Sequence, residues 1–149
     1  MGNVAPIGTH QVLFKHDDRV HGWELWRSDG TAATTNLVID LMPGSTGGAY
    51  PPYETDAAVF DGRLYYANAA PGAGTELIVT DGTGKGTRVV DIFRGMNSSD
   101  PLDLMATGDR IFFTAIDHVH GRELWTLKVA VFVDGFEAGD TSQWSDVLP

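Results

Sequence analysis

The chain has no cysteine among its 149 residues, so disulfides and thiolate metal sites are both excluded. No stretch reaches the apolar length needed to span a bilayer, and no membrane span is expected. Basic residues are scarce, with Lys+Arg 10 against Asp+Glu 20 and a formal net charge of −10. Such a surface repels phosphate backbones, which argues against nucleic acid as a partner. No window carries the apolar spacing of a capped amphipathic helix. The opening MGNVAPIGTH has neither the basic region nor the apolar run of a signal peptide. It also places Pro6 where a myristoylation signal needs Ser or Thr, so Met1 and Gly2 read as a fragment boundary.

What the chain does have is glycine, 18 residues of it, with 7 prolines. That punctuation, in a chain that is 42% hydrophobic and 20% charged, favours a globular fold of short strands and turns. It also repeats itself. HGWELWRSDGT from His21, AGTELIVTDGT from Ala73 and HGRELW from His120 are versions of one phrase. Glu24, Glu76 and Glu123 set the register, separated by 52 residues and then by 47. VLF at Val12 follows the same offsets to LYY at Leu64 and IFF at Ile111, and NLVIDLMPG from Asn36 matches RVVDIFRG from Arg88. A unit of roughly fifty residues is in the range of propeller blades.

Each unit reads as strands: aromatic and β-branched runs, a two-residue period in ELWRSD, and a third run in TNLVIDL and TRVVDIF. AAVFD and DLMATGD form a weaker fourth. Asp29-Gly30-Thr31 and Asp81-Gly82-Thr83 lie between strands, where a tight hairpin needs the positive φ that glycine tolerates. Gly22, Gly74 and Gly121 turn the preceding hairpin. A blade packed on both faces buries the recurring glutamate only if backbone donors satisfy it. Glu24, Glu76 and Glu123 are therefore expected to accept hydrogen bonds from turn amides, and Trp26 and Trp125 to lie in the blade core.

The combination of ELWRSDGT and TELIVTDGT with the following VIDLMPG or VVDIFRG resembles the ELWxxDGT repeats of bacterial secreted proteins. The resemblance covers about residues 10 to 128. It implies a β-propeller-like, extracellular or cell-surface protein without an assigned enzymatic activity. Departures are Thr34-Thr35 where the family usually has Gly-Thr, Ile78 for the tryptophan, and ELWTLKV without Asp-Gly-Thr. The tail VFVDGFEAGDTSQWS resembles a DGFESGDTSxWS segment common at the C-termini of secreted bacterial proteins, which implies a natural C-terminus and a sorting role.

Other motifs dissolve under the same reading. DGTGKGT resembles a phosphate loop, but Lys85 is followed by Gly86 and a strand rather than by Ser or Thr and a helix. His21 and His120 each follow an aspartate by three residues, Asp18 and Asp117, which reads as an aspartate capping its own turn rather than a metal site. No nucleophile elbow or metalloprotease helix is present, and no catalytic residue or cofactor is assigned. Calcium is the one metal considered, at Asp134, Glu137 and Asp140 in DGFEAGD, although that spacing is not an EF-hand. Glycan stacking is assigned to Tyr50 and Tyr53 in the inserted GGAYPPYETD loop and to Trp23, which has no counterpart in the other repeats.

The sequence thus predicts an all-β, propeller-like domain over residues 1–128, of about three four-stranded antiparallel blades. Repeats lie near 11–63, 64–110 and an incomplete 111–128, with a tail at 129–149. The expected role is structural or adhesive, with copies of the chain joined through complementary ends into an oligomer or filament. The alternatives are a carbohydrate-binding module for surface glycans and a C-terminal fragment of a larger propeller.

Overall fold

The computed structural model describes residues 4–44 and 57–128. It is all-β, built from three antiparallel sheets with one short 3-10 turn at Ala32–Thr34. The first sheet joins β1 (Val4–Ile7), β2 (Gln11–Asp17), β3 (Trp23–Ser28) and β4 (Asn36–Ile39) in chain order. The second joins β5 (Ala57–Phe60), β6 (Arg63–Ala70), β7 (Gly74–Thr80) and β8 (Arg88–Val90) in the same way. The third holds β9 (Leu102–Thr107), β10 (Arg110–Asp117) and β11 (Gly121–Lys128), three strands among the described residues.

The sheets are framed one strand earlier than the sequence repeats. AAVFD and DLMATGD do not close the unit before them; they open the next sheet as β5 and β9. β1 opens the first sheet in the same way, with Val4–Ile7 paired to Phe14–Gln11 of β2. The reason is connection length. β5 reaches β6 through the two-residue Asp61-Gly62 turn, with both residues at positive φ, and antiparallel pairing follows at once. The link from β8 to β9 is longer, and it crosses from one sheet to the next.

Pairing partners across a strand ladder share a face of the sheet. Each sheet therefore has a front, holding Leu13 and Leu25 in the first, Tyr65 and Leu77 in the second, and Phe112 and Leu124 in the third. Each also has a back, holding Phe14 and Trp26, Tyr66 and Ile78, and Phe113 and Trp125. The front of the first sheet packs on the back of the second, burying Leu13, Leu25, Tyr66 and Ile78 in one core. The front of the second packs on the back of the third, burying Tyr65, Leu77, Ile111 and Phe113 in another. The opening strands also meet, β1 beside β5 and β5 beside β9.

Gly74 carries a specific steric demand. Its φ of +70° is left-handed, and an added Cβ would lie 2.4 Å from the Asn97 carbonyl oxygen. Backbone cannot yield as a flexible side chain can, so Gly74→Ala is expected to destabilise by about 3 kcal/mol and lower Tm by roughly 6 °C or more. Gly108 has φ +60° but nothing within 4 Å of an added Cβ, so Gly108→Ala should cost only about 1 kcal/mol. Thermal melts of the two variants side by side check the difference.

Candidate functional site

The repeated glutamates sit on β3, β7 and β11, two residues before the back-face Trp26, Ile78 and Trp125. Glu76 is fully buried, and its carboxylate gathers the loop that leads to the third sheet. Oε2 accepts from the Ile92 amide at 2.9 Å and from the Ser99 hydroxyl at 2.6 Å, while Oε1 accepts from the Ser99 amide at 2.9 Å. The same loop is tied on both sides. Ser98 Oγ accepts from the Thr75 amide, the Asp100 amide donates to Thr75 O, and the Ile116 amide donates to Ser99 O at 2.7 Å. Burial pushes the Glu76 carboxyl up, against the pull of these donors and the Phe93 amide. Glu24 is buried in the same setting, its Oε1 accepting from the Met42 amide at 2.9 Å. Glu123 differs: it is exposed, and the residues after β11 lie outside those described.

The Asp-Gly-Thr turns share one network. Asp29 Oδ1 accepts from the Thr31 amide and hydroxyl, both at 3.0 Å, and from the Thr34 hydroxyl. Asp81 Oδ1 accepts from the Thr83 amide at 2.8 Å and hydroxyl at 2.7 Å. Beneath each turn lies a hydroxyl pair that the motif reading missed, Ser28 with Thr35 and Thr80 with Thr87, both at 2.8 Å. Each pair accepts the glycine amide, Gly30 or Gly82, on its first member. Its second member donates to the carbonyl of Thr31 or Thr83 at 2.7 Å. The signal was in the sequence: a hydroxyl residue just before Asp-Gly-Thr, and a threonine four residues after that motif's own. Thr34 stands where repeat two has Gly86, and the threonine after each, Thr35 or Thr87, serves the turn.

The Asp-x-x-His turns are self-contained as well. Asp18 accepts from the amides of Val20 and His21 and holds the His21 Nδ1 at 2.7 Å; Asp117 does the same for Val119, His120 and the His120 ring at 3.0 Å. These bonds hold the Asp18 carboxyl down at about 2 and the Asp117 carboxyl well below the carboxylate range. The bond to Asp18 raises His21. Among the described residues no group of three or more His, Asp or Glu is arranged to hold a metal. The calcium candidates Asp134, Glu137 and Asp140, and the stacking candidates Tyr50 and Tyr53, lie outside the described residues.

The tryptophans part company. Trp125 is half-buried against the second core and donates Nε1 to Ala115 O at 3.3 Å. Trp26, expected in the core, lies on the back of the first sheet, with its ring edge-on to His16 at 5.4 Å. A back face is covered only where a preceding sheet covers it. Trp23 is half-buried at the start of β3, opposite Asp17. One polar group between the first and second sheets was not singled out from sequence. Lys15 Nζ lies 5.9 Å from the Tyr66 ring centre, burial pushes the Lys15 ammonium down, and Glu24 draws it back up. Burial likewise pushes the Tyr66 hydroxyl up.

Two outcomes follow. Glu76→Ala and Glu24→Ala strand buried donors and should each cost about 3 kcal/mol, whereas Glu123→Ala should stay within about 0.5 kcal/mol in chemical denaturation. His21, raised by Asp18, stabilises the fold below its unfolded value near 6.5, and that gain fades as pH rises through the folded value. The depressed Asp18 stabilises above 3.8 and loses that gain as pH falls toward about 2. Asp18→Asn should return the His21 ring titration toward its ordinary value in an NMR pH series, with the His120 ring as the internal control. No family model matches the chain, and neither a curated protein nor a solved structure matches it.

Proposed function

We propose that the chain is a non-enzymatic, propeller-type protein of the ELWxxDGT kind, structural or adhesive at the bacterial cell surface, that works by joining to further copies of itself. What supports the propeller reading is the serial order of the sheets: each is a chain-order meander, fronts stack on backs, and the opening strands lie side by side. The acidic surface and the ELWxxDGT phrases support an extracellular setting. Among the described residues, the repeated Asp-Gly-Thr, Asp-x-x-His and buried glutamate positions serve turns and sheet contacts. No helix of the described residues is long and apolar enough to cross a membrane.

The observation that carries the assembly reading is the open third sheet. β3 and β7 are paired on both edges, by β2 and β4 and by β6 and β8, whereas among the described residues β11 is paired only with β10. A strand edge left unpaired among the described residues, beside an exposed glutamate, is a feature that proteins ordinarily pair or protect. Light scattering on the purified chain is expected to give a mass above the single-chain 16.1 kDa, rising with concentration, with rings or fibres in negative stain. A single-chain mass at every concentration rejects the assembly reading.

A further inference from the structure

The two internal sheet contacts use the same pair of surfaces, front on back, and among the described sheets one surface of each kind has no sheet against it. Equivalent positions show it. Leu25 and Leu77 on the first and second fronts are 3% and 0% exposed, whereas Leu124 at that place on the third front is 67% exposed. Ala5 and Ala58 are buried opposite Leu13 and Tyr65, whereas Met105, opposite Phe112, is 61% exposed. Leu102, paired with Thr114, extends the same surface. The third front is thus an apolar patch of Leu102, Met105, Phe112 and Leu124.

The complement lies at the other end of the stack. On the back of the first sheet, Val4 pairs with Phe14, Pro6 with Val12, and Phe14 with Trp26. Their counterparts on the second and third backs, Tyr66, Ile78, Phe113 and Trp125, all pack into the two cores. On the first sheet Val4 and Pro6 are exposed and Val12, Phe14 and Trp26 only half-buried. Both surfaces have apolar residues at their centres, and the buried carboxylate of Glu24 lies on this back face, paired with His16, as Glu76 lies on the second, paired with Asn68.

We propose that the front of the third sheet docks on the back of the first sheet of a second copy of this chain, repeating the contact made twice within each chain. The inference rests on the assembly reading above and adds its surface: association is by face-to-face sheet stacking, not by strand addition at β11. The contact is head-to-tail, so it joins unlike surfaces and either closes into a ring or grows into a fibre. Three sheets per chain make two chains a six-sheet stack, inside the range of about four to eight blades that closes a propeller.

The test uses the full chain with charges placed only at exposed positions. Met105→Asp with Leu124→Asp blocks the third front, and Val4→Asp with Pro6→Asp blocks the first back. Circular dichroism establishes that each keeps its fold, and Leu102→Asp serves as a second front variant should the first pair disturb it. Sedimentation velocity should then give the single-chain mass for each blocked protein alone. An equimolar mixture should give twice that mass and nothing heavier than the pair, because one intact front meets one intact back. If the wild type assembles and the blocked proteins assemble equally well, the stacking surface is wrong while the assembly reading stands, and the β11 edge becomes the junction. If the wild type is a single chain, both fall. If the wild type is a single chain that associates only after residues 129–149 are removed, the chain's own C-terminal segment covers the front, and the second copy is overturned as its occupant.

Discussion

A buried carboxylate governs this fold. Glu76 is a charged group inside a sheet stack, which is tolerable only because the loop between the second and third sheets brings its amides and the Ser99 hydroxyl to it. The same loop hands the Ser99 carbonyl to Ile116 of β10 and the Asp100 amide to Thr75 of β7. One side chain therefore fixes where a sheet ends, how the chain leaves it, and where the next sheet begins. Removing the carboxylate would leave donors stranded in an apolar interior, so the stack is specified as much by the penalty for misplacing the loop as by the gain in placing it. Gly74, pressed against the Asn97 carbonyl, is the backbone counterpart of that constraint.

Around these clamps the chain uses side-chain hydrogen bonds to hold turns that backbone pairing alone would leave loose. The two Asp-Gly-Thr turns carry the same arrangement of aspartate, threonine and a paired hydroxyl beneath, although their intervening residues differ. The two Asp-x-x-His turns repeat another arrangement at the opposite hairpin. Residues that look in isolation like metal ligands or a phosphate loop are consumed by these turns. The carboxylates of Asp18, Asp29, Asp81 and Asp117 accept from the amides of their own turns, which is the geometric use of these motifs.

The third sheet departs from this economy. Its back is packed, but its glutamate is exposed, β11 has one partner among the described residues, and its front shows leucine and methionine to solvent. The first sheet shows the converse, with a covered front and an open back carrying Phe14 and Trp26. The two open surfaces are of the kinds that meet inside the chain, and that complementarity links a repeated sequence to a reading based on self-association.

Much of the local structure was legible in the sequence, because it depends on neighbours along the chain. A two-residue period, a glycine at a positive φ and an aspartate two residues before its amide partner are set within a few residues, and the β11 strand is as readable as β3. The frame of the sheets was not, since whether AAVFD closes one sheet or opens the next depends on which neighbouring strand it pairs with, and it pairs with β6. Nor was the fate of equivalent residues. Leu77 and Leu124 occupy the same place in the repeat and have opposite environments, 0% and 67% exposed, because burial there is decided by whether another sheet lies against that face. The sequence determined the strands, the turns and the carboxylates that tie them. Only the tertiary structure decided which copies of each residue are covered, since coverage is a property of the stack and not of the repeat.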